Sequence, residues 1–344
     1  MLLPYLDSEP SLQQLLEGQA AIAAHIHRTP VLTCEALDKI TGARLFFKAE
    51  NFQKVGAFKM RGATRAALAL TREQLSRGLA THSSGNHAQA VARAASLFEV
   101  PAYIVMPENA PEVKRQATLG YGAQITPCAP TIEARQSTLE KVQAETGATF
   151  IHPFDDYNVI AGQATASLEL METVPDLDDI IAPIGGGGLM SGTCLAAHGV
   201  ASGMRVFGAE PEAVDDAWRS LKSGKVERNK STNTIADGLK TNLSPKTFAI
   251  IQAHLEEDFL VKEEQIVEAM QLIWSRMKII IEPSCAVPLA AILRNPEVFA
   301  GRRVGVILTG GNVDLKNLPW ENCTNAISSK HKKPASRPEE RLGM

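Results

Sequence analysis

The strongest constraint on the fold is a repeated alternation between short apolar, β-rich runs and longer segments of helical period. LATHSS, PAYIVMP and AQITPC read as strands, while residues 62–78, GNHAQAVARAASLF and EVKRQATLGYG read as the helices preceding and joining them. A second series follows, with TIEARQSTLEKVQAETG, VIAGQATASLELMETV and GGGGLMSGTCLAAHGV as helices and ATFIHP, DDIIAPI and MRVFGAEP as strands. EEQIVEAMQLIWSRM, SCAVPLAAILRN and the strand RRVGVILTGG repeat the theme, and no tandem repeat is present. Upstream, Ser11 reads as an N-cap before a helix through Ile22 to Ile26, and RTPVLT and ARLFFKAE are short β-rich segments. Strands separated by helices cannot be joined as hairpins, so the pattern predicts an α/β protein with open parallel sheets covered by helices. Beyond Trp320 the apolar pattern stops, and residues 321–344 read as a disordered tail.

Composition narrows the partner. The chain has 344 residues, 44% hydrophobic and 21% charged, enough for a large core in one large domain or two smaller ones. A net charge of −3 gives no electrostatic reason to expect nucleic acid or an anionic membrane, so a small molecule is the expected partner. Five scattered cysteines, Cys34, Cys128, Cys194, Cys285 and Cys323, without a CxxC, fit neither a disulfide framework nor a zinc site, and a cytoplasmic location is expected. The N-terminus has no basic, apolar signal pattern.

Four segments can carry chemistry. In VGAFKMRGA, Lys59 stands between Phe58 and Met60 among small residues, a setting for contact with a ligand. Gly185 to Gly188 lie between a strand and a helix, where main-chain N–H groups converge on an anion; a plain flexible turn is the alternative. The spacing fits neither the dinucleotide fingerprint nor a P-loop, so a monophosphate is the better match. In SSGNHAQA, Ser83, Ser84 and Asn86 can present hydroxyl, amide and N–H groups to a carboxylate, although Ser84 as an N-cap and His87 as a satisfied helical histidine fit equally. Thr309, in LTGGNVD, follows a strand at the edge where open α/β sheets bind ligands, or is one residue of a polar turn. AEPEAVDD brings Glu210, Asp215 and Asp216 close enough for a hard cation, or is a solvated acidic loop.

A buried lysine, a monophosphate cradle and a carboxylate pocket together meet the needs of pyridoxal-phosphate chemistry, because only a neutral amine condenses with an aldehyde and burial favours that form. The sequence resembles the fold-type-II pyridoxal-phosphate enzymes, of tryptophan synthase β-like fold, and among them the serine/threonine dehydratase and serine racemase branch, to about Leu315. FQKVGAFKMRGA, SSGNHAQA, GGGGLMSG, TIADGLK, EPSCAVPLAA and LTGGNVD carry that resemblance. It implies that Lys59 bonds the cofactor and acts as base, Phe58 packs on its ring, Asn86 meets the ring oxygen, Gly185 to Gly188 with Leu189 hold the phosphate, and Thr309 meets the pyridine nitrogen. It further implies that Ser83, Ser84, Asn86 and His87 hold the substrate carboxylate, with Ser84 placed to give a proton from the face opposite Lys59.

The implied reaction is loss of water from a β-hydroxy amino acid, L-serine, L-threonine or 3-hydroxyaspartate, to a 2-oxo acid and ammonia. Serine racemisation is the alternative. Arg135 matches a pocket position in racemase-like members and can pair with a second carboxylate; an exposed helical arginine is the other reading. Asn242, where the racemase has serine, and the dehydratase-like Phe154-Asp155-Asp156 depart from a pure racemase pattern. Glu210, the Val214 carbonyl and Asp216 match the family's site for Mg2+, Ca2+ or Mn2+. For ATP as effector, Gln89, Tyr121 and Asn312 match, but residues 34–36 read Cys-Glu-Ala instead of hydroxyl residues. The resemblance implies a large domain of residues 1–77 and 151–320, a small one of 78–150, the cofactor between them, a homodimer, and no regulatory domain for isoleucine feedback. A β-replacement synthase or a silent ligand-binding subunit fits less well, given SGNH and intact Lys59 and Ser84.

Overall fold

The computed structural model describes residues 3–110 and 112–320; the expected tail of 321–344 and Cys323 lie outside the described residues. The chain to Asn312 forms one compact unit. The described residues 313–320 belong to a second, in which Asn317 Nδ2 donates to Asp314 Oδ2 at 2.6 Å.

Ten strands occur among the described residues: β1 (Val31–Leu32), β2 (Arg44–Ala49), β3 (Leu79–His82), β4 (Ala102–Pro107), β5 (Gln124–Cys128), β6 (Thr149–Phe150), β7 (Asp179–Pro183), β8 (Arg205–Pro211), β9 (Glu257–Val261) and β10 (Arg303–Leu308). They form a six-stranded sheet in the order β1-β2-β10-β7-β8-β9 and a four-stranded sheet in the order β5-β4-β3-β6. Every pairing is parallel except that of β1 with β2. The expected α/β class with parallel sheets is therefore observed. The smaller sheet is drawn wholly from residues 79–150.

The helices Lys59–Leu68 and Tyr157–Thr173 link the apolar cores of the two sheets. Met60, Ala63 and Val159 share a core with Leu79 and Ile104 of the smaller sheet and Ala90 of the helix Asn86–Leu97, while Ile160 and Ala164 share one with Ile180 and Ile307 of the larger sheet and Cys194 of the helix Gly188–Val200. The two helix backbones touch, since a Cβ on Gly162 would stand 2.6 Å from the Arg61 carbonyl oxygen.

A buried ionic network fixes the first helix. Arg61 Nε and Nη2 donate to Glu50 at 2.7 and 2.8 Å, and Nη1 and Nη2 donate to Glu169 at 2.9 and 2.8 Å. Lys48 adds a bond to Glu169 at 2.6 Å, and Thr29 donates to Glu50 at 2.5 Å. Charges this deep persist only when matched and hydrogen-bonded, and here each one is.

Three expected boundaries shift. Residues 62–78 form two helices, Lys59–Leu68 and Arg72–Ser76, because Thr71 and Gln74 form a capping box that starts a new helix. The strand ATFIHP pairs only through Thr149–Phe150, since the Ile151 carbonyl accepts from Thr81 Oγ1 and bonds the His87 ring, both at 2.9 Å. The helix through EEQIVEAMQL ends in a π turn, Ile273–Met277, closed by Lys278 at φ 60°.

Candidate active site

Lys59 opens its helix from a pinned segment. Ala57 bridges Gly310, Phe58 N donates to the Thr309 carbonyl at 3.0 Å, and Gly311 N donates to the Gly56 carbonyl at 2.9 Å. Val55 adopts φ 59°, a strained conformation for a β-branched residue, held by a 2.7 Å bond from Asn312 Nδ2 to its carbonyl. The Lys59 amine donates to the Pro153 carbonyl at 2.8 Å and lies 5.1 Å from the Phe58 ring centroid. Desolvation pushes its pKa down to about 8, against the opposing pull of the Glu282 carboxylate. The expected neutral-leaning lysine is present.

The glycine run leads from just beyond β7 into the helix Gly188–Val200, whose first residue is its last glycine, and its four residues are buried. Side chains pack directly against it. A Cβ on Gly186 would stand 2.3 Å from the Phe154 ring, one on Gly188 2.9 Å from Phe154 Cβ, and one on Gly187 2.7 Å from Leu243. Gly187 also takes φ 84°, the left-handed conformation that favours glycine. Bare main chain and the first N–H groups of the helix therefore line this turn, with Leu189 in the first helical turn.

The loop between β3 and the helix Asn86–Leu97 holds Ser83, Ser84 and Gly85, all half-buried. A Cβ on Gly85 would meet nothing within 4 Å, so this loop borders open space. Asn86 is oriented from both ends of its amide: Nδ2 donates to the two Glu282 oxygens at 2.8 and 3.1 Å, and Oδ1 accepts from Asn312 at 2.9 Å. The His87 ring is engaged elsewhere. Burial holds its pKa well below the usual histidine range, and a neutral ring donating Nε2–H to the Ile151 carbonyl keeps Nδ1 as an acceptor, unsuited to a carboxylate.

Thr309 Oγ1 is buried without a hydrogen-bond partner. Such a hydroxyl, a desolvated amine and a main-chain anion cradle are what a pyridine nitrogen, an aldehyde and a phosphate ester require, so these residues fit pyridoxal phosphate. Arg135 lies in the helix Ile132–Thr146; its Nε is buried and unpaired, and its charge acts on His82 and Cys128 at the ends of β3 and β5. That places it beside the strand leading into Ser83.

Two site residues escaped the sequence reading. Glu282, buried before the helix Pro283–Arg294, orients Asn86, and burial raises its carboxyl to about 7. Only its membership of EPSCAVPLAA signalled it. His152 accepts from Phe154 N and Asp155 N at 3.2 and 2.7 Å, shaping the turn that aims the Pro153 carbonyl at Lys59, and nothing in the sequence singled it out.

The acidic loop is built differently from a solvated one. Glu210, at the end of β8, accepts from Trp218 N at 2.9 Å; Asp216 accepts from Leu243 N at 2.8 Å, while its Oδ1 has no partner; Val214 is buried in the turn between them. Burial raises Glu210 well above the usual carboxylate range and Asp216 to about 6. An orphaned oxygen among buried carboxyls fits a hard cation, although among the described residues no three His, Cys, Asp or Glu side chains converge as a metal-binding group. Asp215 instead pairs with Arg219.

Residues 22–310 match the family model described as "Pyridoxal-phosphate dependent enzyme". The chain belongs to that family. It is 50% identical over 311 residues to a beta-hydroxyaspartate dehydratase of Paracoccus denitrificans, covering 90% of this chain and 99% of the relative. It is 49% identical to a serine racemase of Dictyostelium discoideum, with 90% and 96% covered. The structure of maize serine racemase superposes with a TM-score of 0.89 at 43% identity, covering 94% of this chain and all of that one. No helix among the described residues is long and apolar enough to cross a membrane.

Proposed function

We propose that this protein is a pyridoxal-phosphate-dependent ammonia-lyase that removes water from a β-hydroxy amino acid, with 3-hydroxyaspartate preferred over L-serine and L-threonine. The observation that carries the preference is Arg135, whose buried Nε has no partner beside the strand entering Ser83–Asn86. A guanidinium held this way pairs with a carboxylate that serine and threonine do not have. The 50% identical dehydratase supports the same substrate.

The bound cofactor supplies covalent attachment for the substrate amine and the electron withdrawal that acidifies its Cα–H. Lys59 takes that proton, and a desolvated amine with a pKa near neutrality suits the exchange. Ser83, Ser84 and the first N–H groups of the helix Asn86–Leu97 hold the α-carboxylate, and Arg135 holds the second. The β-hydroxyl departs as water, and hydrolysis gives oxaloacetate and ammonia from hydroxyaspartate. Glu210, the Val214 carbonyl and Asp216 hold a cation such as Mg2+, the residues of the smaller sheet form a domain of their own, and the protein works as a cytoplasmic homodimer. Cys34, which makes no side-chain cap bond, and Ala36 offer no hydroxyl to a nucleotide, so ATP has no part in this proposal.

Serine racemisation is the second reading, supported by half-buried Ser84 in a loop bordering open space and by the 49% identical racemase. The test is 2-oxo acid release from the three substrates, with chiral analysis of residual serine. Arg135→Ala is expected to lose activity on hydroxyaspartate while keeping that on serine; an equal loss on both would refute the proposed preference. Lys59→Ala is expected to make no 2-oxo acid, and turnover at the wild-type rate would refute the mechanism.

A further inference from the structure

One unexplained buried group beside the acidic loop is on β9. Asp258 is 4% exposed, and its carboxylate is approached by the Glu210 carboxyl and the Phe259 N–H without forming a well-directed hydrogen bond with either. It pairs in register with Gly208 of β8, two residues before Glu210, and a Cβ on Gly208 would stand 2.6 Å from Asp258 Oδ1. The missing side chain at Gly208 thus gives Asp258 its room. Alternation along β8 puts Gly208 and Glu210 on one sheet face, so the Asp258 and Glu210 carboxyls meet there. The charged side chains acting on Asp258 are Glu210, Asp216 and Glu257, all acidic. Three buried carboxyls with no matching base at Asp258 make a costly arrangement in a protein interior.

A hard cation removes that cost in a specific way. Mg2+ and Mn2+ are met by about six oxygens, and Glu210, Asp216 and the Val214 carbonyl provide only part of such a shell. The remainder is water, whose hydrogens need acceptors, and the Asp258 carboxylate keeps lone pairs for them beside its contacts with Glu210 and the Phe259 N–H.

We propose that Asp258 is the third carboxylate of this cation site, accepting hydrogen bonds from the cation's own water shell. The inference rests on the reading that Glu210 and Asp216 hold a cation. It adds a residue that the sequence did not point to, and it makes the site more anionic than two carboxylates would.

The test is titration of the purified holoenzyme with Mn2+, followed by electron paramagnetic resonance of the free ion. Asp258→Asn, similar in shape but uncharged, is expected to weaken Mn2+ binding at least tenfold, the range typical of residues that orient a metal's shell. Asp258→Val gives the same readout if the asparagine variant folds poorly. Glu257→Gln removes an equal charge from the exposed neighbouring position and is expected to stay within about threefold of wild type. In thermal melts without cation, Asp258→Asn is expected to match or exceed wild type, and added Mn2+ is expected to stabilise it less. Wild-type Mn2+ affinity in both Asp258 variants would overturn the role of Asp258 alone. A wild-type protein that takes up no Mn2+ would overturn both this inference and the cation reading beneath it.

Discussion

In the proposed reading the Lys59 amine captures the cofactor, and its desolvation gives that capture a pH midpoint. An ordinary lysine titrates at 10.5; desolvation brings this one to about 8. At pH 7.5 the neutral, reactive fraction is about 0.001 for the ordinary group and about 0.24 for Lys59, an advantage of about 240-fold. Mixing cofactor-free protein with pyridoxal phosphate in a stopped-flow instrument, and correcting for the aldehyde's own titration with a small amine, is expected to give a capture rate that rises with pH and reaches half its plateau near pH 8. Glu282 favours the ammonium, so Glu282→Gln is expected to move the midpoint lower. A midpoint near 10, or one that rises in the variant, would refute the assignment of desolvation as the dominant influence.

Because the folded pKa of Lys59 is depressed, its burial costs stability below about pH 8, and the cost disappears as pH rises through about 8 to 10.5. Cofactor-free Lys59→Met is therefore expected to be more stable than wild type at pH 7, by at most about 3 kcal/mol, with the gap closing in urea melts at pH 10. Gly186→Ala places a methyl group against the Phe154 ring and is expected to cost about 1–3 kcal/mol and to weaken cofactor affinity in equilibrium dialysis. Arg61→Leu leaves Glu50 without its bidentate partner, and a loss of about 3–5 kcal/mol is expected, seen as a melting temperature lower by roughly 10 °C. Exhaustive chelation is expected to lower the melting temperature and Mg2+ or Mn2+ to restore it, since burial leaves Asp216 Oδ1 without a partner.

The sequence by itself determined the class of fold and singled out most residues of the candidate site. Alternating strand and helix periods, with connections too long for hairpins, leave parallel sheets as the arrangement, and both sheets are parallel apart from β1. Local chemistry singled out Lys59 by its apolar and small neighbours, and the glycine run, Ser83 to Asn86 and Thr309 because each follows the end of a strand. Only the tertiary structure decided which of these groups are paired. Asn86 is set by Glu282 and Asn312, each about two hundred residues away in the chain. His87 is committed to the Ile151 carbonyl, and the Lys59 amine is aimed by a turn that His152 shapes. Asp258 and Glu210 became neighbours through strand register. Hydrogen bonding and desolvation depend on distances between segments remote in sequence, and those distances are fixed by packing, which leaves no local pattern to read.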